Sequence, residues 1–168
     1  AVDGQGAHGI QAVNENANSA GLTIVSKGPV TAKQTGITAV NHGTGPLTVQ
    51  TMGSVLGEAG ISAVNEGAGA LSIESGGTVT GTKFDGITAT NYGTDLSVAT
   101  KDAVIGTRNG IVATNVGTGK LTIDAGGDVV GTSGYGIQAS NAAGTDLSIS
   151  TAAGTAVSGQ TGLSANNA

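Results

Sequence analysis

The chain has 168 residues, of which 31 are glycine, 10% are charged and 2% are aromatic, and its formal net charge is −5. This acidic balance argues against a nucleic-acid partner, because phosphate binding requires a basic stripe and the six basic residues here are scattered. No run of 18 apolar residues predicts a membrane-spanning helix, and the absence of cysteine means that disulfides do not stabilise the core.

A hexapeptide of the pattern Gly-Ile-x-Ala-x-Asn occurs seven times at intervals of 24 to 27 residues, with leucine replacing isoleucine in the last copy. The copies begin at Gly9, Gly36, Gly60, Gly86, Gly110, Gly136 and Gly162. A period in the twenties, with apolar residues at every second position, predicts a chain wound as a solenoid.

Two further segments follow each hexapeptide. The first reads Leu-(Thr/Ser)-(Ile/Val), as in Leu71-Ser72-Ile73, and the next is a valine two residues before a glycine, as in Val79-Thr80-Gly81. Alternate residues of a strand point to opposite faces, so Leu71, Ile73 and Val79 are expected to point inward. Three strands per period, each apolar on one side, predict a triangular coil with a dry centre.

The predicted fold class is therefore all-β: a right-handed, single-stranded parallel β-helix with three short strands per coil and about six coils. Helix is disfavoured by the glycine content and the two-residue periodicity. Residues 1–168 are interpreted as one solenoid segment truncated at both ends, because Val2-Asp3-Gly4 matches a third segment and the last residues follow a first segment. Unpaired strand edges at such ends favour self-association.

An asparagine closes each hexapeptide. The column comprises Asn14, Asn41, Asn65, Asn91, Asn115, Asn141 and Asn167. Asparagine tolerates left-handed backbone angles, bonds local backbone groups and can form amide ladders between stacked strands. We interpret the column as structural, and a row of ligand-binding amides is the functional alternative.

Charged residues at equal phase were the candidates for catalysis or metal binding. Asp102 and Asp128 both precede a third-segment valine, and Asp95, Lys120 and Asp146 precede a second-segment leucine. The first two supply too few oxygens for calcium, and the other three form an alternating-charge surface column. No catalytic, cofactor-binding or metal-binding residue is predicted.

Histidines and aromatic residues give weaker signals. His42 shares its phase with Glu15 and Glu66, so a Glu-His-Glu stack is possible at a solvated corner. His8 lies at a different phase, which argues against a joint zinc site. Phe84 and Tyr135 both precede a hexapeptide two coils apart and provide at most a shallow groove wall.

An outward apolar stripe is the remaining candidate for contact. The fifth hexapeptide position points outward and reads Val13, Val40 and Val64 in the early coils. Plain β-propensity explains these valines equally well. Ice binding is disfavoured, because the outward column from Val25 to Ser150 is irregular.

Three long stretches resemble the coil repeats of bacterial autotransporter passenger domains. They are GITAVNHGTGPLTVQTMGSVLG (Gly36–Gly57), GISAVNEGAGALSIESGGTVTG (Gly60–Gly81) and GIVATNVGTGKLTIDAGGDVVG (Gly110–Gly131). The resemblance implies a right-handed parallel β-helix secreted through a C-terminal outer-membrane β-barrel that this sequence lacks. It implies an extracellular or surface-displayed protein, often an adhesin or virulence factor, and carries over no active-site residue.

The sequence thus predicts an adhesive passenger segment that is not an enzyme. Its expected partners are a host-cell surface, the extracellular matrix or a passenger on a neighbouring cell. No nucleic-acid partner is expected, and the membrane is expected to be contacted only through the C-terminal β-barrel that this sequence lacks. Two alternatives stay open: the wall of a β-helical polysaccharide-processing enzyme, and a purely structural spacer or phage-fibre segment.

Overall fold

The computed structural model describes residues 2–4 and 7–168 of the chain. These residues form an all-β structure without helices, in which parallel strands stack as a solenoid of about seven turns. The predicted parallel β-helix is confirmed. Its strands are, in chain order, β1 (Val2–Gly4), β2 (Ile10–Asn14), β3 (Leu22–Ser26), β4 (Val30–Ala32), β5 (Thr35–Asn41), β6 (Leu47–Thr51), β7 (Val55–Gly57), β8 (Ala59–Asn65), β9 (Leu71–Ser75), β10 (Val79–Gly81), β11 (Ile87–Asn91), β12 (Leu96–Thr100), β13 (Val104–Gly106), β14 (Ile111–Asn115), β15 (Leu121–Ala125), β16 (Val129–Asn141), β17 (Leu147–Thr151) and β18 (Val157–Asn167).

The strands form three faces that follow the three sequence segments. The first face contains β2, β5, β8, β11, β14 and the C-terminal parts of β16 and β18. The second face is the sheet of β3, β6, β9, β12, β15 and β17. The third face contains β1, β4, β7, β10, β13 and the N-terminal parts of β16 and β18.

Strands β16 and β18 differ from the predicted short segments. Each runs from the third face through the corner into the first face, with a register shift between Gly131 and Tyr135. The corner can stay in strand conformation here because the two strands pair again at Tyr135 and Thr161, directly after the bulge.

Register between coils is set by identical residues. Ile37, Ile61 and Ile87 pair in sequence on the first face, and Leu47, Leu71 and Leu96 do so on the second. Because side chains alternate between faces, a slip of one residue would expose every one of these apolar groups. The repeat therefore fixes which residues point outward.

The core is a set of apolar columns along the axis. The inward side chains of the central coils are 0–2% exposed, including Ile61, Ala63, Leu71, Ile73 and Val79. The alanine column is the narrow one, and it leaves room for the larger leucine and isoleucine columns opposite. No coil could bury its apolar side alone, so stability depends on stacking.

The glycine that opens each hexapeptide is required by close packing. A Cβ atom on Gly110 would lie 2.5 Å from the carbonyl oxygen of Gly136 and 2.6 Å from Cγ1 of Val129. At Gly162, in the last coil, the nearest atom would be 3.1 Å away. Because the hexapeptide glycine has no side chain, the corner at the start of the first face can pack closely against the next coil.

The asparagine column forms a continuous amide ladder. Nδ2 of Asn65 donates to Oδ1 of Asn91 at 2.9 Å, and Nδ2 of Asn91 donates to Oδ1 of Asn115 at 2.9 Å. The same pattern links all seven members, from Asn14 to Asn167. These bonds run parallel to the backbone ladder and tie each coil to the next.

Each buried amide also bonds the turn of its own coil. Asn65 donates to the carbonyl oxygen of Gly69 at 2.8 Å, and Asn141 donates to that of Asp146 at 2.9 Å. Among the described residues no non-glycine residue has a positive φ. The left-handed backbone angle that the sequence argument allowed for asparagine is therefore not used, and the column acts through its amides.

Candidate functional site

The predicted valine stripe is continuous in space. Val13 pairs with Val40, and Val40 with Val64, before Thr90 takes the same position. Val13 is 43% exposed, and the other two valines are partly exposed. The stripe covers three coils and gives the first face a small apolar patch.

A second apolar column lies on the third face. Leu56 and Ile105 are 40% and 38% exposed, and Val130, which pairs with Ile105 on the next strand, is partly exposed. Thr80 interrupts the column between Leu56 and Ile105. In the sequence, this column corresponds to the middle residue of each third segment. That residue points outward because the valine before it points inward.

Asp85 is a buried carboxylate that the sequence analysis missed. It is 3% exposed and lies directly before the hexapeptide glycine of its coil. Its Oδ1 accepts hydrogen bonds from Arg108 Nε at 2.8 Å, from Asn109 Nδ2 at 2.8 Å and from the Asn109 backbone N–H at 3.1 Å. Its Oδ2 accepts from a terminal nitrogen of Arg108 and from the Thr88 hydroxyl.

These contacts set the protonation of the pair. Burial of Asp85 acts to raise the pKa of its carboxyl group, but the hydrogen bonds from Arg108 and Asn109 and the guanidinium charge outweigh burial. The pKa of Asp85 therefore lies below its ordinary value of 3.8. Its hydrogen bond raises the pKa of Arg108 above the usual range. Both groups are charged at neutral pH, and they join two adjacent coils.

Phe84 and Tyr135 do not form one wall. Tyr135 pairs with Thr161 and lies two residues before Ile137. The residue two before the equivalent Ile87 is Asp85, so Tyr135 is in register with Asp85 and not with Phe84. Phe84 is 47% exposed, and the Arg108 guanidinium carbon lies 5.9 Å from its ring centroid. The exposed aromatic ring therefore supports the Arg108 side chain.

The Glu15, His42 and Glu66 stack is present. Nδ1 of His42 lies 2.8 Å from Oε2 of Glu66, and Nε2 lies 3.7 Å from Oε2 of Glu15. His8 instead contacts the Thr38 hydroxyl through Nδ1 at 3.3 Å. The two histidines belong to different surroundings.

Asp102 and Asp128 do not stack, contrary to the interpretation from the sequence. Val104 pairs with Val129, so Asp128 is level with Ala103 and not with Asp102. Oδ1 of Asp128 accepts the backbone N–H of Ala156 at 2.8 Å. The two carboxylates therefore do not stack, because they precede their valines by different distances.

Asp95, Lys120 and Asp146 do lie in register, directly before paired leucines. Oδ1 of Asp95 accepts the backbone N–H of Lys120 at 2.9 Å. Within residues 2–4 and 7–168, the ion pairs are made by other residues. The carboxylate of Asp95 thus bonds the backbone across the coil boundary and forms no ion pair with the Lys120 ammonium.

A groove with a volume of about 560 Å³ runs along the corner where the second face turns toward the third. One wall is the outward column of Gln50, Glu74, Ala99, Asp124 and Ser150. The opposite rim is formed by turn residues, Met52, Gly76, Lys101, Gly126 and Ala152. It spans five coils, so it is about 19 Å long at the usual strand spacing.

The last residues of the second-face strands, among them Thr51, Ser75 and Thr100, form a column at this corner. One of its hydroxyl groups has no hydrogen-bond partner in the described part of the chain. Ser75 Oγ donates to the Gly77 carbonyl oxygen at 2.7 Å, and Thr51 Oγ1 donates to Ser75 Oγ at 3.3 Å. Thr100, at the same position, is 5% exposed, and its Oγ1 has no hydrogen-bond partner in the described part of the chain. Ala125 follows it in the column and offers no acceptor side chain.

Residues 2–4 and 7–168 contain no group of three or more histidine, cysteine or acidic side chains placed to hold a metal ion. No helix among them is long and apolar enough to cross a membrane. Comparison with protein-family models, with curated proteins and with solved structures found no match for the chain.

Proposed function

We propose that the chain is a segment of a secreted or surface-displayed autotransporter passenger and that it acts as an adhesive scaffold. Its partners are a host-cell surface, the extracellular matrix or a passenger of the same kind on a neighbouring cell. The contacts are shallow and are distributed along the outward columns of the coils.

The observation that carries this proposal is the strict register of the repeat. It brings outward residues of separate coils together into lines, among them the valine stripe (Val13, Val40 and Val64) and the third-face column (Leu56, Ile105 and Val130). Each line is too small to form a stable interface on its own, and several lines on one rigid rod can act together. Such a surface suits many weak contacts better than one deep site.

The experiment is an attachment assay with the purified chain immobilised on beads through an engineered terminal tag. Mammalian cells, fibronectin- or collagen-coated surfaces and beads carrying the same chain are offered in turn. We expect saturable attachment to at least one of them. If neither the segment nor the full passenger attaches to any of the three, the adhesion proposal is wrong.

A spacer role is the second candidate, and the uninterrupted asparagine ladder favours it because the ladder ties every coil to the next. Deleting residues 136–161 removes one coil and leaves the valine stripe, the third-face column and the Asp85–Arg108 pair in place. A spacer predicts that this deletion changes the reach of an attached end domain. An adhesive scaffold predicts that attachment by the segment itself persists.

A further inference from the structure

We propose that Asn109 is a site of spontaneous deamidation, that its contact with Asp85 keeps the reaction slow, and that the reaction loosens this corner of the solenoid. The corner is the turn from the third face to the first. The proposal does not depend on the adhesive function. It rests on the Asn109-Gly110 dipeptide and on hydrogen bonds that join it to the coils on both sides.

The dipeptide is unusual in this sequence. Asn109 is the only asparagine that is followed by glycine. A side chain on the following residue hinders attack of its backbone nitrogen on the asparagine amide carbon, and glycine has no such side chain. Asp85 and Tyr135 take the same position in the neighbouring coils, directly before the hexapeptide glycine. The reactive dipeptide is thus placed between a carboxylate and a tyrosine backbone.

Water is the only co-reactant of the reaction. The Gly110 nitrogen bonds to Cγ of Asn109, the Cγ–Nδ2 bond breaks, and the proton lost by the nitrogen leaves with the amide group as ammonia. Water then opens the five-membered imide. Cleavage of the bond between the Gly110 nitrogen and Cγ gives aspartate. Cleavage of the bond between that nitrogen and the main-chain carbonyl carbon of Asn109 gives isoaspartate, which lengthens the backbone by one methylene group.

Both reacting groups form hydrogen bonds in the folded chain. Gly110 is buried, and its N–H donates to the Tyr135 carbonyl oxygen at 2.9 Å. Nδ2 of Asn109 donates to Oδ1 of Asp85 at 2.8 Å, and Oδ1 of Asn109 accepts the Tyr135 N–H at 2.8 Å. The Gly110 nitrogen can therefore attack the amide carbon only after the corner has opened locally.

Asp85 is held in place by contacts other than those with Asn109. Its carboxylate is buried and accepts hydrogen bonds from Arg108 Nε at 2.8 Å and from the Thr88 hydroxyl at 3.2 Å. Its Oδ1 also accepts the Asn109 backbone N–H at 3.1 Å. Hydrogen bonds to an ionised acceptor are about twice as strong as neutral ones. Asp85 therefore fixes the Asn109 amide and lowers the population of the open corner.

Deamidation replaces a hydrogen-bond donor by a charged acceptor. A carboxylate oxygen of residue 109 then takes the place of Nδ2, which lies 2.8 Å from Oδ1 of Asp85. Two like charges at this distance in a partly buried corner repel each other. The extra methylene of isoaspartate in addition displaces Gly110, whose backbone packs closely against Gly136. Both products thus weaken the contacts between adjacent coils.

Incubation at mildly alkaline pH and 37 °C, followed by intact-protein mass spectrometry and labelling with isoaspartyl methyltransferase, measures the reaction. The reference is the synthetic peptide Thr-Arg-Asn-Gly-Ile-Val, which has the sequence of residues 107–112. We expect Asn109 in the folded chain to react at least about 10-fold more slowly than the peptide, because only the open corner reacts. Asn109→Gln gives the background from the other asparagines.

Three variants test the contact with Asp85. Asp85→Ala and Arg108→Gln should each raise the rate at Asn109 about 3-fold or more, because the amide is then held less firmly. Glu58→Gln is the control, since it breaks the exposed ion pair with Lys83 at the same corner and should leave the rate unchanged. Circular dichroism checks that each variant is folded, and Arg108→Gln decides if Asp85→Ala is not.

Trypsin cleavage after Arg108 in the folded chain measures how far the product opens the corner. Asn109→Asp imitates the aspartate product, and Asn109→Ser removes the amide without adding charge. We expect Asn109→Asp to be cleaved about 3-fold or more faster than Asn109→Ser, because only the former places a second carboxylate beside Asp85.

The proposal is overturned if the folded chain and the peptide react equally fast, or if Glu58→Gln raises the rate as much as the other two variants. It is also overturned if neither Asp85→Ala nor Arg108→Gln changes the rate. Cleavage of Asn109→Asp no faster than that of Asn109→Ser would show that the reaction does not loosen the corner.

Discussion

Arg108 reaches across a coil boundary to Asp85, with 2.8 Å between Nε and Oδ1 and a second hydrogen bond to Oδ2. The carboxylate is buried, whereas the Arg108 side chain is 58% exposed. Two coils are thereby joined at a corner by a charged pair, in addition to the backbone ladder. Removing either partner leaves the other with unmet hydrogen-bonding capacity.

We expect Asp85→Asn to lower the free energy of unfolding at pH 7 by about 1.5–3 kcal/mol, the range for hydrogen bonds to charged groups. The folded-state pKa of Asp85 is depressed, so its stabilisation is present above the unfolded value near 3.8 and is lost as pH falls through the folded value. The difference between wild type and variant should therefore shrink below pH 3.8. Urea unfolding of the wild type and the variant at pH 7 and at pH 3 measures this difference in the free energy of unfolding.

Glu58→Gln is the matched control, because it removes the exposed ion pair with Lys83 on a neighbouring part of the same corner. Exposed pairs contribute little, so its effect should stay within about 1 kcal/mol at pH 7. Equal losses in the two variants would show that burial of Asp85 has no energetic role.

The asparagine ladder predicts a gradient of stability along the rod. Asn91 is fully buried, accepts from Asn65 and donates to Asn115 and to the Thr94 carbonyl oxygen. Asn91→Ala should cost about 2–4 kcal/mol, because it leaves buried groups on both sides without partners. Hydrogen exchange should show the loss concentrated in the flanking coils.

Asn14→Ala provides the comparison, since Asn14 is only partly buried and has one ladder neighbour among the described residues. It should cost less than Asn91→Ala. A ladder that contributes nothing would give the same small change at both positions.

The hexapeptide glycine predicts a steric effect that depends on the coil. Gly110→Ala places a methyl group 2.5 Å from the Gly136 carbonyl oxygen, so the coils must separate, and we expect at least about 2 kcal/mol of destabilisation. Gly162→Ala meets its nearest atom, the Val157 carbonyl oxygen, at 3.1 Å and should cost clearly less, because the backbone has to shift by only a few tenths of an ångström. Thermal unfolding of the two variants compares them directly, and equal stability would mean that the coils are less tightly packed than described.

Much of the fold could be predicted because the repeat is local and periodic. Alternation alone predicts that Leu71, Ile73 and Val79 point inward, and all three are fully buried. The same alternation placed Asn65 and its equivalents at one corner. The turns differ in length, but each new hexapeptide begins at the same corner. The inward and outward positions are therefore the same in every coil.

The sequence was less informative where contacts depend on single residues at corners. Asp85 has no repeated equivalent, so periodicity gave no reason to pair it with Arg108 and Asn109. The sequence suggests that Asp102 and Asp128 stack because each precedes a third-segment valine. Asp102 lies two residues before Val104 and Asp128 one residue before Val129, and this difference separates them. The groove was missed because its wall, from Gln50 to Ser150, is chemically irregular even though its backbone is regular.

If binding resides in the outward columns, as we propose, variants that change one column at a time should differ in attachment. One variant replaces Val13, Val40 and Val64 by threonine, a second replaces Leu56, Ile105 and Val130 by threonine, and a control replaces Thr23, Thr48 and Thr122 by serine. Threonine keeps β-propensity and removes apolar surface. We predict that at least one stripe variant loses attachment about 5-fold or more while the control does not; full attachment by both stripe variants would contradict the account.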